Sequence, residues 1–151
     1  MDRELVRAAT YIHAPYELVW RTLTRPEYHD RWHVAPCLAF GTEAGDRVAW
    51  GVDEESEIEG TLFRWEPATG FAHSFAFTKL GEPASVVEWQ VQPLGELVWV
   101  EIKHDFPEEA LETQAIITDG WTLVLARLKT LLEVGEPMPW PEWDDEERAP
   151  W

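Results

Sequence analysis

The sequence predicts an α+β domain in which a curved antiparallel sheet wraps around a long C-terminal helix, with two short helices after the first strand. Three observations predict it. The middle of the chain is a series of short segments rich in β-branched and aromatic residues, separated by glycine, proline or aspartate. The last long segment instead repeats its apolar residues at helical spacing, from Ile117 through Trp121, Val124 and Leu128 to Leu131. Each strand is apolar on one side only, so the sheet needs a cover, and that helix is the best one available.

The elements follow in order. Leu5 to Ile12 alternate loosely as a first strand. Pro15 suits the first turn of a helix, where its missing N–H would lack a partner anyway, and Leu18, Val19 and Leu23 continue the helical spacing. Thr24-Arg25-Pro26 breaks this run, and a second short helix covers Pro26 to Trp32. Beyond Pro36 the period changes. Strands are predicted at Arg47 to Val52, Ile58 to Glu66, Phe71 to Phe77, Ser85 to Gln92 and Leu97 to His104. Turn residues separate them at Glu43-Ala44-Gly45-Asp46, Pro67-Ala68-Thr69-Gly70, Gly81-Glu82-Pro83 and Pro93-Leu94-Gly95-Glu96. One helix then runs from about Thr113 to Val134, closed by Gly135. Gly120 inside it costs up to about 1 kcal/mol relative to alanine, which points to a close approach of backbone or ligand. Strand alternation turns Phe71, His73, Phe75 and Phe77 inward, with Trp89 and Val91 and then Val100 and His104, and leaves Trp99 outside.

The chain has 151 residues, the size of a single domain, expected to occupy 1–135. Residues 136–151 read as an acidic tail rich in proline and tryptophan, with Trp140, Trp143 and Trp151 expected to dock on this chain or on another copy. A hydrophobic fraction of 45% excludes a disordered body. The net charge of -17 opposes condensation on phosphate backbones or anionic lipid, so neither nucleic acid nor membrane is expected as a partner. No apolar run reaches spanning length and Met1-Asp2-Arg3-Glu4 opens no signal peptide, so a cytoplasmic location is expected. The lone Cys37 forms no internal disulfide and reads as an inert apolar residue. Ten tryptophans exceed what a core of this size needs and hint at an aromatic-lined cavity or contact surface.

Several ordered pieces carry a family resemblance. Ile12-His13-Ala14-Pro15 is followed by Val19-Trp20, then Leu23-Thr24-Arg25-Pro26-Glu27 and Trp32. Later come Glu59-Gly60-Thr61-Leu62 with Pro67 and Phe71, Ile102-Lys103-His104, and Gly120-Trp121 with Leu125, Leu128 and Leu132-Glu133. From about Val6 to Gly135 the chain thus resembles the START-like, or SRPBCC, superfamily, in the branch of the activator of the heat-shock chaperone ATPase. The resemblance implies the helix-grip fold. It implies no single function, because the fold hosts carriers, cyclases, hydrolases and chaperone regulators. The separate N-terminal domain of the chaperone activators has no room here, so a cochaperone role is not implied.

For function, the expected reading is binding of a small, largely apolar or aromatic ligand in a cavity between sheet and C-terminal helix. The cavity-lining candidates are Trp50, Phe71, His73, Phe75, Phe77, Trp89, Val91, Val100, His104, Gly120, Trp121 and Val124. His104 is either a hydrogen-bonded core histidine or a ligand contact, and His73 resembles it. A carrier or sensor is preferred to an enzyme; the alternatives are a metal-independent cyclase or hydrolase using His104 or His73 as acid-base, and a protein-interaction module. No nucleophile elbow or phosphate loop appears, and no cofactor is expected. His29 and His33 lie four apart with Asp30 where a zincin would carry glutamate, and without a third ligand they read as a surface helix end, so no metal is expected. A homodimer is left open.

Overall fold

The computed structural model describes residues 4–142. In chain order the elements are β1 (Glu4–Ile12), α1 (Tyr16–Thr24), α2 (Pro26–His29), β2 (Cys37–Phe40), β3 (Arg47–Val52), β4 (Glu55–Glu66), β5 (Gly70–Phe77), β6 (Ser85–Leu94), β7 (Leu97–Phe106), α3 (Leu111–Ile117) and α4 (Gly120–Val134). The strands form one antiparallel sheet in the order β1-β7-β6-β5-β4-β3-β2. The meander from β2 to β7 follows from its short hairpins, whereas β1 crosses to pair with β7 through the register Glu4↔Phe106 to Ile12↔Val98. Register shifts between Trp50 and Gly51 and between Leu62 and Arg64 bend the β3–β5 half of the sheet. At Gly60 an added Cβ would lie 1.9 Å from the carbonyl oxygen of Ser74, so only glycine allows β4 this close to β5.

The predicted faces hold. Phe71, His73 and Phe75 are buried on β5, Trp89 and Val91 on β6, and Val100, Ile102 and His104 on β7. Trp99 lies opposite Tyr11, which is 54% exposed, on the outer face. The helical stripe Ile117, Trp121, Val124, Leu128 and Leu131 is buried beneath the sheet, with α4 against β1. Two side-chain links fasten this packing: Glu133 accepts the His13 N–H at 2.7 Å and Lys129 donates to the Tyr11 carbonyl.

Three expectations are corrected. The single C-terminal helix is two, because the chain breaks at Thr118 and Asp119, and Gly120 is the first residue of α4 rather than an interior one. At that position glycine incurs little of the mid-helix cost. Secondly, β2 is a strand that alternation did not reveal, since its residues are all half-buried at the sheet edge. Finally, α2 stops at His29, so His33 lies in the following turn and both imidazoles are buried rather than exposed at a helix end.

Among the described residues no helix is long and apolar enough to cross a membrane. Trp143, Trp151 and the acidic cluster Asp144 to Glu147 lie outside the described residues. The preceding segment folds back on the domain. Gly135 closes α4 in the left-handed conformation at φ 99. Arg127 then donates to the carbonyls of Met138 and of Arg31, and its guanidinium sits 4.4 Å from the ring centre of Trp140. Trp140→Ala is therefore expected to lower stability by about 1 to 2 kcal/mol, from lost burial and cation–π attraction. Thermal unfolding followed by circular dichroism measures this, and an unchanged melting temperature would show that Trp140 adds nothing.

Candidate functional site

The interior is built from indole and imidazole rings, and their polar atoms determine how they sit. A buried indole N–H needs an acceptor, and a neutral imidazole offers one acceptor and one donor. Trp50 on β3 donates its Nε1–H to Nδ1 of His29 at 3.1 Å, and His29 passes its own Nε2–H to the Leu23 carbonyl at 2.7 Å. Trp121 on α4 does the same to Nδ1 of His104 at 2.9 Å. His104 Nε2–H then meets Ser85 Oγ at 2.6 Å, and Ser85 donates to the Phe75 carbonyl at 3.1 Å. Both nitrogens of His29 and of His104 are thus committed.

His33 and His73 differ. Nδ1 of His33 accepts the Val34 N–H at 2.9 Å, so its proton sits on Nε2. Nδ1 of His73 donates to the Ser74 carbonyl at 2.7 Å, so its Nε2 is a lone-pair acceptor. In each of the two rings Nδ1 is bonded to the backbone of the residue that follows it in the chain. Both rings flank Trp50, with His33 stacked on it at 4.7 Å and His73 tilted at 5.5 Å.

The predicted lining residues fill the interior. Phe71 stacks on Trp89 at 5.9 Å, Trp89 meets Trp121 edge-on at 5.8 Å, and Phe75 meets His104 at 4.8 Å. Trp50, Val91, Val100 and Val124 are buried in the same cluster, and Gly120 is buried at the start of α4. Phe77 alone of these residues borders a described cleft. That cleft, about 320 Å³, lies where α3 faces the ends of β4 and β5 and is lined by Val34, Glu57, Ile58, Phe77, Lys79, Leu80 and Ile116. Its walls are apolar, with one acid and one amine at the lip. Glu82 holds α3 there by accepting the N–H groups of Glu112 and Thr113, at 2.9 and 2.8 Å, which the start of a helix leaves without internal partners.

Sequence reasoning missed the cleft residues of the loops and α3, because neither period nor motif marks them. It also placed His29 and His33 outside. Trp32 between them, 1% exposed and bonded through Nε1 to the Thr22 carbonyl at 3.1 Å, was the available signal of an inward turn. Cys37 is half-buried, its thiol pushed up to about 12 by burial, which makes it a poor nucleophile.

Burial lowers all four interior imidazoles: His29 and His73 to about 4, and His33 and His104 well below the usual value. Folding therefore favours the neutral rings, whereas unfolded imidazoles take up protons near 6.5. This contribution is complete above about pH 6.5 and is lost as pH falls towards about 4, at up to about 1.4 kcal/mol per pH unit for each ring. Melting temperatures should hold from about pH 7.5 to about 6.5 and then fall towards about pH 5, and a flat profile would contradict the neutral core. His104→Leu removes the acceptor of the Trp121 N–H and the partner of Ser85, and should cost about 1 to 3 kcal/mol at neutral pH while flattening that profile. Denaturant unfolding at two pH values checks both effects.

The profile of a family described as Activator of Hsp90 ATPase homolog 1-like protein matches residues 13–133. No curated protein matches the chain. Solved structures share the fold. DynU16, a putative protein in the dynemicin biosynthetic locus, superposes with a TM-score of 0.73 at 21% identity over 88% of this chain. The chain spans 48% of DynU16, about half its length. The Aha1 dimer from Colwellia psychrerythraea gives 0.73 at 17% identity, covering 87% of this chain and 98% of that one. CalU16 from Micromonospora echinospora gives 0.70 at 22%, covering 91% and 86%.

Proposed function

The chain belongs to the Activator of Hsp90 ATPase homolog 1-like family, and within that fold we propose that it binds a small, largely apolar molecule in the cleft between α3 and the ends of β4 and β5. The observation that carries this reading is the apolar cleft itself. Phe77 borders it, and Phe77 stands on the same inward face of β5 as Phe75 and His73, so the cleft adjoins the ring-filled interior. Binding is favoured over acid-base catalysis by His73 and His104, because burial lowers the basicity of both rings away from neutral pH, and both nitrogens of His104 are already hydrogen-bonded. A homodimer belongs to the same reading, on the likeness to the Aha1 dimer. Size-exclusion chromatography with light scattering tests it, and a mass of 17.5 kDa would refute it.

The neutral fluorescent probe N-phenyl-1-naphthylamine should bind saturably with a dissociation constant on the order of micromolar, about -8 kcal/mol. Leu80→Asp places a charge on the apolar wall and should weaken binding at least about tenfold, while Val134→Asp, at a position 75% exposed and away from the cleft, should not. Fluorescence titration of the three proteins decides. Equal binding by all of them, or none by the wild type, would remove the reading.

A further inference from the structure

A second cleft, of about 600 Å³, lies between α1 and the turn joining β4 to β5. Residues Tyr16, Trp20, Arg21 and Arg25 reach it from α1 and its C-cap, at the spacing of one helix face. Trp65 of β4 forms the opposite wall, its ring 5.5 Å from that of Trp20. Four features mark this cleft. Arg21 and Arg25 are among only 12 basic residues in a chain of net charge -17, yet neither is paired with a carboxylate among the described residues. Other arginines on this surface are paired, Arg47 with Glu59, Arg7 with Glu101 and Arg64 with Glu88. Against the two guanidinium groups the cleft sets one acid, Glu17, so its lining is net positive. Trp20 and Trp65 are only half-buried, leaving indole surface available on either side. The Tyr16 hydroxyl is buried and has no hydrogen-bond partner among the described residues.

Two unpaired guanidinium forks suit a carboxylate, paired indoles suit a flat ring, and a buried hydroxyl without a partner suits a ligand oxygen. We propose that this cleft binds a planar aromatic carboxylate, with its ring against Trp20 and Trp65 and its carboxylate held by Arg21 and Arg25. Tyr16 donates its hydroxyl hydrogen to the same ligand. The site is separate from the apolar cleft at α3, sharing no lining residue with it, and it selects for charge where the other selects against it.

The test uses the full chain and two probes of similar shape, 1-naphthoate and the neutral 1-naphthalenemethanol, followed by isothermal titration calorimetry and tryptophan quenching at low salt. Naphthoate should bind one per chain, at least about tenfold more tightly than the alcohol, and should weaken as salt is raised. The double variant Arg21→Gln, Arg25→Gln changes only exposed side chains and should abolish that preference. Tyr16→Phe should weaken naphthoate severalfold without lowering the melting temperature of the free protein, since the lost hydroxyl had no partner to leave behind. Leu80→Asp, which disables the apolar cleft, should leave naphthoate binding intact, so the two sites fail separately. Equal affinity for acid and alcohol, naphthoate binding unchanged in the double arginine variant, or no saturable binding would each overturn the proposal. A fall in melting temperature with Tyr16→Phe would assign that hydroxyl to the fold and remove it from the site.

Discussion

The packing of this domain depends on giving two buried indole N–H groups an acceptor. Trp50 and Trp121 are 2% and 1% exposed, so water cannot serve them, and each is answered by a neutral imidazole. The acceptors in turn must shed a proton from their other nitrogen, to the Leu23 carbonyl in one case and to Ser85 in the other. These relays tie α1 and α2 to β3, and α4 to β5, β6 and β7. A helix that slid by one residue along the sheet would break a relay as well as misplace its apolar stripe. Aromatic burial supplies the larger energy, and the hydrogen bonds select one arrangement of the rings.

Neutrality of the core explains where the charge goes. With four imidazoles held uncharged inside, the excess of acids over bases is carried on the outside, where salt and water screen it. Glu101 and Arg127 are the exceptions, each 7% exposed: Glu101 is paired with Arg7 and Lys103, whereas Arg127 is a guanidinium without a carboxylate partner among the described residues. It is met by two backbone carbonyls and the face of Trp140, and its burial lowers its basicity. Carbonyls spare the fold a second buried charge, and they draw the segment after α4 back over the helix. The start of the tail is thereby joined to the domain through a residue that helical periodicity alone would assign to the stripe's flank.

Because the rings fill the middle, space remains at the margins, where α3 and α1 approach the sheet without closing on it. The two margins have opposite chemistry. One is apolar, walled by Ile58, Phe77, Leu80 and Ile116; the other is cationic and aromatic.

The sequence by itself determined the sheet, the gripping helix and the inward faces, because strand alternation and helical spacing are periodic and each position reports its own side. Phe71, His73, Trp89 and His104 were legible as interior for that reason. Periodicity also identified the rings but could not say whether they line a hollow or fill it, since that depends on how close the two layers come. The tertiary structure adds the contacts between layers: Trp89 reaches Trp121 and Phe71 reaches Trp89. Tertiary contacts also turned His29 and His33 inward, since the turn after α2 is set by stacking on Trp50 from β3, more than a dozen residues away along the chain. The clefts belong wholly to the folded state. Their walls come from α1, α3, loops and strand ends that no local pattern relates, and only the packing of helices against a finished sheet brings them together.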